Sequence, residues 1–555
     1  MIASSASSPS FPGHSSRSAA LADVAPVILL VVLSVPLLFA GLGSYSLVNG
    51  DEAIYHSVAE HMARSGDWQR IDFKGQHRIY DTFMNAPIQY WARAGLITAF
   101  GSNYWTMRFL SALFGLASVL ATYRLVLRLA DRQAAFLAGL LQLTTFQFVY
   151  LHSARTGELE PVLAFLFTVT LLLFLRIVED DRSYLAHHLC LALLLNLKLP
   201  LVIVPVAAEL ACFALLPEAR SRFRRWALSG LLIVPLGLAW HGIQMIRLWD
   251  SFLVVVNSMG AQASGSAAKG SPAANLLFYA RTLLFGSFPY ALVQPFAVAG
   301  VFFAVRRPGE RARWGIVALF AAAHLVFYVG VAKHYPWYVI PVYPLLCAFL
   351  GVWLRDLWRR EEGPLALAAA TTAGVGMLWM GVATARYNPF SKSAHVIPMR
   401  IQWQGWFGLE TGVEAWVGAL ASALLFAGAL VLLRRLLGGH FHRVLALALG
   451  VSMIAFAGVR VVMPLRHLDH QSKLARFEAE LAAQRAAGES LSYPIDVPER
   501  SLRVIRFYFA DDFDIDYVGD DPAVNPPGSP RVDYQLFEKG SREALHPRMT
   551  RDALF

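Results

Sequence analysis

Charge is scarce in this chain. Only 15% of its 555 residues are Asp, Glu, Lys or Arg, against about 25% in an ordinary soluble domain, and the mean hydropathy is +0.48. Apolar runs separated by short charged loops recur from residue 23 to residue 464, each approaching the ~20 residues that cross a hydrocarbon core. That excludes a soluble enzyme. Cysteine is scarcer still: Cys190, Cys212 and Cys347 all fall inside apolar segments, with no pairing or metal-ligand spacing, which excludes a disulfide framework. A clustered basic surface is also missing. The net charge of +10 comes from Arg residues spread over loops, so nucleic acid is not a partner. Internal symmetry between the first six spans and the next six is lacking too, which weighs against the main alternative class, a lipid or sugar transporter or flippase.

What is present is an all-α polytopic pattern. Residues 1–22, rich in Ser, Ala and Pro, read as a disordered cytoplasmic tail. The run Ala25 to Leu42 is too long for a signal-peptide core and reads as a retained first span. Spans are expected at 23–44, 106–129, 133–151, 159–177, 184–197, 200–216, 226–247, 277–304, 315–332, 337–354, 364–384, 414–436 and 443–463, about thirteen transmembrane helices in all. The polar interruption Asn196-Leu197-Lys198-Leu199-Pro200 splits one apolar stretch in two, and only that split gives consistent sidedness. Short loops carrying Arg128 and Arg132, Arg176 and Arg182, Arg220 to Arg225, Arg306 to Arg313, Arg355 to Arg360, and Arg434 to Arg443 then all face the cytoplasm. Segments 45–105, 152–158, 249–276, 386–413 and 465–555 lie outside. Residues 465–555 read as a small α/β extracytoplasmic domain, with a helix over 474–486, strands within 501–517 and a loop near Pro526 to Pro530.

Chemistry is expected in the outer loops, since spans answer mostly to lipid and to one another. The first outer loop, 45–105, opens Asn49-Gly50-Asp51-Glu52, continues in a helical rhythm through Ala53 to Trp68, and closes at Tyr80 to Trp91. A second outer loop reads His152-Ser153-Ala154-Arg155-Thr156-Gly157-Glu158-Leu159-Glu160-Pro161. Acids at a helix start also serve as caps and favour the helix dipole. Two acidic loops facing one another make a general base or a metal cradle, and Glu52 and Glu158 are the expected cation ligands. Lys198 and the segment Lys333-His334-Tyr335-Pro336-Trp337-Tyr338 put positive charge on the outer side; Lys ends there commonly snorkel to headgroups, but with Tyr338 they suit a phosphate. Trp105, Trp240, Trp249, Trp337 and Trp403 sit near span ends as an aromatic belt does, and His56 and His61 read as surface histidines.

Several of these segments together resemble the bacterial lipid-A aminoarabinose transferases and, more distantly, the protein O-mannosyltransferases, membrane glycosyltransferases of the GT-C type. The matching residues are Asp51-Glu52 with Tyr55, Ser65-Gly66-Asp67-Trp68, Ala86-Pro87-Ile88-Gln89-Tyr90-Trp91, Leu159-Glu160-Pro161 and Pro336-Trp337-Tyr338-Val339-Ile340-Pro341. The resemblance implies a polyprenyl-phosphate-linked sugar donor and inverting transfer on the periplasmic face of the bacterial inner membrane. It also implies a divalent cation and a glycolipid (lipid A among them), polysaccharide or protein acceptor. It makes Asp51 the catalytic first-loop aspartate and puts Glu160, the second carboxylate expected to be catalytic, where relatives carry Asp before Pro. Asn85 stands where aminoarabinose transferases carry Lys, and Ile54 where they carry Arg. Lys74, Arg78, Lys198 or Lys333 would then have to hold the donor phosphate, which weighs against aminoarabinose and lipid A specifically.

Overall fold

The computed structural model describes residues 14–359 except 44–49, 75, 86, 150–151, 264–271, 288–289, 291–292, 305–308 and 332–334, then 432, 434–451 and three strands between 513 and 545. Expected spans 364–384 and most of 414–436 and 443–463 fall outside the described residues, as do the expected helix 474–486 and the loop near Pro526 to Pro530.

The helices run α1 (His14–Ser34), prolonged by a π turn (Val35–Phe39), α2 (Gly50–Ser65), α3 (Ile79–Met84), α4 (Ile88–Phe100), α5 (Tyr104–Leu129), α6 (Arg132–Leu143), α7 (Phe146–Val149) and α8 (Glu160–Asp180). They continue with α9 (Tyr184–Leu195), α10 (Ile203–Leu215), α11 (Pro217–Arg220), α12 (Phe223–Arg247), α13 (Trp249–Ala263), α14 (Pro272–Gly286), α15 (Gln294–Ala304), α16 (Arg311–Gly330) and α17 (Tyr343–Arg359), the last entered through a 3-10 segment (Pro336–Val342). Among the described residues five helices are long and apolar enough to cross a membrane: α5, α8, α12, α16 and the segment Pro336–Arg359. The protein is a membrane protein built on a helical bundle.

Two expected spans come out differently. The stretch 133–151 ends as a helix at Leu143, because the Thr144 and Thr145 hydroxyls donate back to the Leu140 and Leu141 carbonyls at 2.8 Å each, competing with the helical ladder. The stretch 277–304 is two helices, α14 and α15. The break at Asn196 is present: its Nδ2 donates to the Ala192 carbonyl (2.9 Å) and across to the Gly237 carbonyl of α12 (2.8 Å). The segment 249–276, expected outside the membrane, carries α13, whose Phe252 packs on Phe83 of α3 at 5.3 Å between ring centroids.

One end of the bundle is stitched by ion pairs. Arg128 of α5 meets Glu179 (2.6 Å) and Asp180 (2.7 Å) at the end of α8, Arg313 of α16 meets Glu179 (2.6 Å), and Arg355 of α17 meets Asp131 before α6 (2.8 Å). The opposite end carries α2, α3, α4 and a short antiparallel hairpin, β1 (Asp72–Phe73) and β2 (Gln76–His77). Farther along, β3 (Phe513–Tyr517), β4 (Tyr534–Glu538) and β5 (Ala544–Leu545) form an antiparallel sheet in that order.

Small residues let the central helices touch. A Cβ on Gly351 of α17 would meet the Ala134 carbonyl of α6 at 2.7 Å and the Ala138 nitrogen at 2.8 Å, so backbone faces backbone with no flexible atom to yield. Gly351→Ala should force α6 from α17 and cost about 1–3 kcal/mol, the usual overpacking penalty. A thermal melt in detergent by size exclusion, with Gly300→Ala as a control where a Cβ meets open space, tests this.

Candidate active site

Two neighbouring carboxylates at the start of α2 are separated by burial. Consecutive helical residues point about 100° apart. Glu52 turns inward, where Arg108 Nε donates to its Oε1 at 2.6 Å and Arg108 Nη2 to its Oε2 at 3.2 Å, both side chains fully buried. The Gly157 amide donates to the same Oε1 at 2.9 Å, and a Cβ on Gly157 would lie 2.9 Å from Glu52 Cγ. Asp51 remains 26% exposed, its Oδ2 3.3 Å from His152 Nε2.

The loop between α7 and α8 brings more charge to this point. His152 has φ +55°, a left-handed conformation that residues other than glycine adopt uncommonly. Its Nε2 also lies 3.5 Å from Glu158 Oε2, and its Nδ1 3.3 Å from Glu160 Oε2. Glu160 Oε1 faces Lys198 Nζ at 3.9 Å, and that ammonium sits 5.0 Å from the Tyr338 ring centroid. The loop is clamped from below: Ser111 Oγ and Arg93 Nη2 donate to the Glu158 carbonyl at 2.6 and 3.3 Å, and Arg155 Nη1 donates to the Leu37 carbonyl at 2.7 Å.

Burial pushes the Glu158 carboxyl up from its ordinary range; His152 opposes that, while Asp51, Glu160 and Glu52 add to it. Burial would lower the His152 imidazole, but Glu158, Glu160 and Asp51 outweigh it and hold the ring well above its usual value. Tyr55 is raised, by burial first and by Asp51, Glu160 and Glu158 after it. The cluster is an excess of negative charge in a dry place.

A divalent cation fits it. One atom each from Asp51, His152 and Glu158 lie within 4.8 Å of one another, and both Glu158 carboxylate oxygens are buried without a hydrogen-bond donor. Oxygen and imidazole ligands suit such an ion, and Glu160 beside Nδ1 is the orienting carboxylate that metal-bound histidines usually have. The ligand set expected from sequence is altered: Glu158 is in it, but Arg108 and Gly157 engage Glu52, and Asp51 and His152 stand beside Glu158.

The cations expected at a phosphate divide. Lys198 and Tyr338 join the cluster. Arg78 is paired with Asp81 at 2.7 Å, and Asn85 Nδ2 donates to the other Asp81 oxygen at 2.7 Å. Lys74 sits at the turn of the β1–β2 hairpin with φ +49°. Lys333 lies outside the described residues. His56 is 2% exposed rather than a surface residue, with Nε2 2.9 Å from Ser102 Oγ, and burial lowers it to about 4. Trp240 is an internal tie, not a belt residue: its Nε1 donates to the Thr82 carbonyl at 2.9 Å.

Sequence reasoning missed His152, Arg108 and Arg93. Arg108 carried a signal, an ionisable residue inside an apolar span; His152 carried only its nearness to Glu158 and Glu160.

The overall arrangement is shared with solved structures. ArnT from Cupriavidus metallidurans bound to undecaprenyl phosphate superposes with a TM-score of 0.63 at 20% identity, over 87% of this chain and 84% of that one. The chain has the fold of the GT-C membrane glycosyltransferases. The apo state of the same ArnT gives a TM-score of 0.60 at 21% identity, over 88% and 84%. Residues 84–241, from the end of α3 through most of α12, match the family described as dolichyl-phosphate-mannose-protein mannosyltransferase. An uncharacterised protein of Aquifex aeolicus is 25% identical over 343 residues, 61% of this chain and 66% of the relative, so the match spans just under two thirds of that relative's length. In this chain the acid cluster lies between α2, the 152–158 loop and the segment that leads into α17.

Arg108→Met would leave Glu52 buried without its cation, at a cost of about 3–5 kcal/mol. Arg108→Lys should recover only part of it, since an ammonium does not reproduce the two-point fork. Thermal melts of these two variants beside the double variant Glu52→Gln, Arg108→Met check this; equal melting of wild type and Arg108→Met would refute it.

Proposed function

We propose that the protein is a glycosyltransferase that moves a sugar from a polyprenyl-phosphate donor to an acceptor on the outer face of the bacterial cytoplasmic membrane. The observation that carries this reading is the division of labour at the head of α2: Glu52 is consumed by Arg108, while Asp51 stays partly exposed beside buried acids that are 0% and 3% exposed. The GT-C fold, the mannosyltransferase-family segment and undecaprenyl phosphate bound to ArnT support a lipid-linked donor. The basic loops at the opposite end of the bundle support an outward-facing site.

In the transfer, an acceptor hydroxyl or amine attacks the anomeric carbon from the face opposite the polyprenyl phosphate, which leaves with the bonding pair, so the configuration inverts. Asp51 takes the acceptor's proton. His152, fixed by Glu160 at Nδ1, orients Asp51 and Glu158, and Glu158 is kept dry by its clamped loop. Lys198, held between Glu160 and Tyr338, receives the phosphate charge as it develops; Lys74, Arg78 and Lys333 are the further cations of the outer segments. A divalent cation held by Asp51, His152 and Glu158 would supply electrostatic stabilisation of the leaving phosphate. The acceptor is a glycolipid, a polysaccharide or a protein.

The test is mass spectrometry of a native polar-lipid extract incubated with purified protein and a divalent cation. Wild type should deplete one glycosyl-polyprenyl phosphate and release free polyprenyl phosphate. Asp51→Asn should lower that turnover by about 10²–10⁴-fold, the usual worth of positioned proton transfer, at unchanged membrane abundance. Persistence of every lipid mass with folded wild type and acceptor present would favour transport instead. Tyr338→Phe, Lys198→Ala and Lys333→Ala should raise the KM for donor lipid more than that for acceptor; equal effects on both would mark them as structural.

A further inference from the structure

Trp337 stands where a membrane-interface belt or a sugar-stacking platform is the natural reading, yet its indole is engaged from within the protein. The His152 ring lies flat on it, with centroids 4.0 Å apart and planes 8° apart, and the Tyr335 ring stacks on it at 4.7 Å and 5°. Both residues flanking Trp337 in the chain have their carbonyls gripped by buried side chains. Gln147 Nε2 donates to the Pro336 carbonyl at 2.7 Å, itself held by the Tyr343 hydroxyl at 2.7 Å, and His324 Nε2 lies 2.8 Å from the Tyr338 carbonyl. A Cβ on Gly286 would fall within 2.0 Å of both Gln147 Oε1 and Tyr343 OH, so this grip leaves no slack. The next residue, Tyr338, carries Lys198 over its ring at 5.0 Å, and Lys198 returns through Glu160 to His152. The contacts close a circuit: Trp337, His152, Glu160, Lys198, Tyr338.

We infer that Trp337 is a positioning residue, a rigid aromatic plate that sets the plane of the His152 ring and, through it, the placement of Asp51 and Glu158. Carboxylates at Nε2 and Nδ1 hold the His152 ring by its edge, and an indole flat on its face resists the remaining tilt of the ring plane out of that arrangement. A flat indole supplies that face, with a geometric preference that aliphatic packing lacks. The plate comes from the segment entering α17, so two distant stretches of chain meet on one ring.

Only the activity arm of the test rests on the transferase reading. In the lipid-extract assay Trp337→Phe should keep turnover within about threefold, whereas Trp337→Leu should lose about tenfold or more in kcat at unchanged donor KM, since a misplaced acid geometry slows the step and not the binding. Adding Trp337→Leu to His152→Gln should cost nothing further, because the plate acts through a ring no longer there. The same cycle read as melting temperature needs no activity: the double variant should melt no lower than the less stable single variant. Equal losses for Phe and Leu, or additive losses in either cycle, would overturn the assignment. If Trp337→Leu does not survive purification, the melting cycle is run with Trp337→Met, which also removes the flat ring, and additivity there has the same force. If wild type consumes no lipid, the transferase reading falls and the melting cycle alone decides the plate.

Discussion

The buried Glu52–Arg108 pair is the contact on which the rest of this site depends. Two full charges withdrawn from water are tolerated only when each satisfies the other, and here the fork of Arg108 meets both carboxylate oxygens while Gly157 adds a third donor. Arg108 Nη1 also donates to the Leu42 carbonyl at 2.8 Å. One ion pair therefore registers the end of the first helix, the head of α2, the first turn of α5 and the 152–158 loop against one another. The adjacent Asp51 is aimed as a consequence, because a helix allows its neighbour only one direction once Glu52 is spent.

Around that registration the site concentrates like charge. Asp51, Glu158 and Glu160 all approach one imidazole, and burial makes their mutual repulsion costly. The compensation is His152, whose ring the same acids hold well above its usual range against the pull of burial, and Lys198 at the margin. Such a cluster is poorly arranged for stability and well arranged for holding a cation, which is why the acids read as functional rather than as caps. The strained His152 backbone and the clamped carbonyls on either side of Trp337 belong to the same logic: a repulsive cluster keeps its geometry only if the frame around it is stiff.

The interior of the bundle follows a simpler rule. Helices approach through Gly351, Ala134 and Ala138, and the end away from the acid cluster is tied by arginines to Glu179, Asp180 and Asp131. Those arginines were visible as a topological signal in basic loops; their partners were not, because ion pairs that bridge 51 to 224 positions leave no local pattern.

The amino-acid sequence alone determined that this is a multi-spanning helical membrane protein, where its chain breaks at Asn196, which loops carry acids, and that Asp51, Glu158, Glu160, Lys198 and Tyr338 deserve a place near one another. Hydropathy, Pro and Asn chemistry and charge bias are local properties, read over a turn or a span. Tertiary structure decided the roles. It sent Glu52 inward to Arg108, put His152 at the centre of the acids, buried His56, and turned Trp337 from a belt residue into a plate. Each of these depends on which distant residue occupies the neighbouring space and how much water is left there, and neither burial nor partnership is a property of a residue's own neighbourhood in the chain.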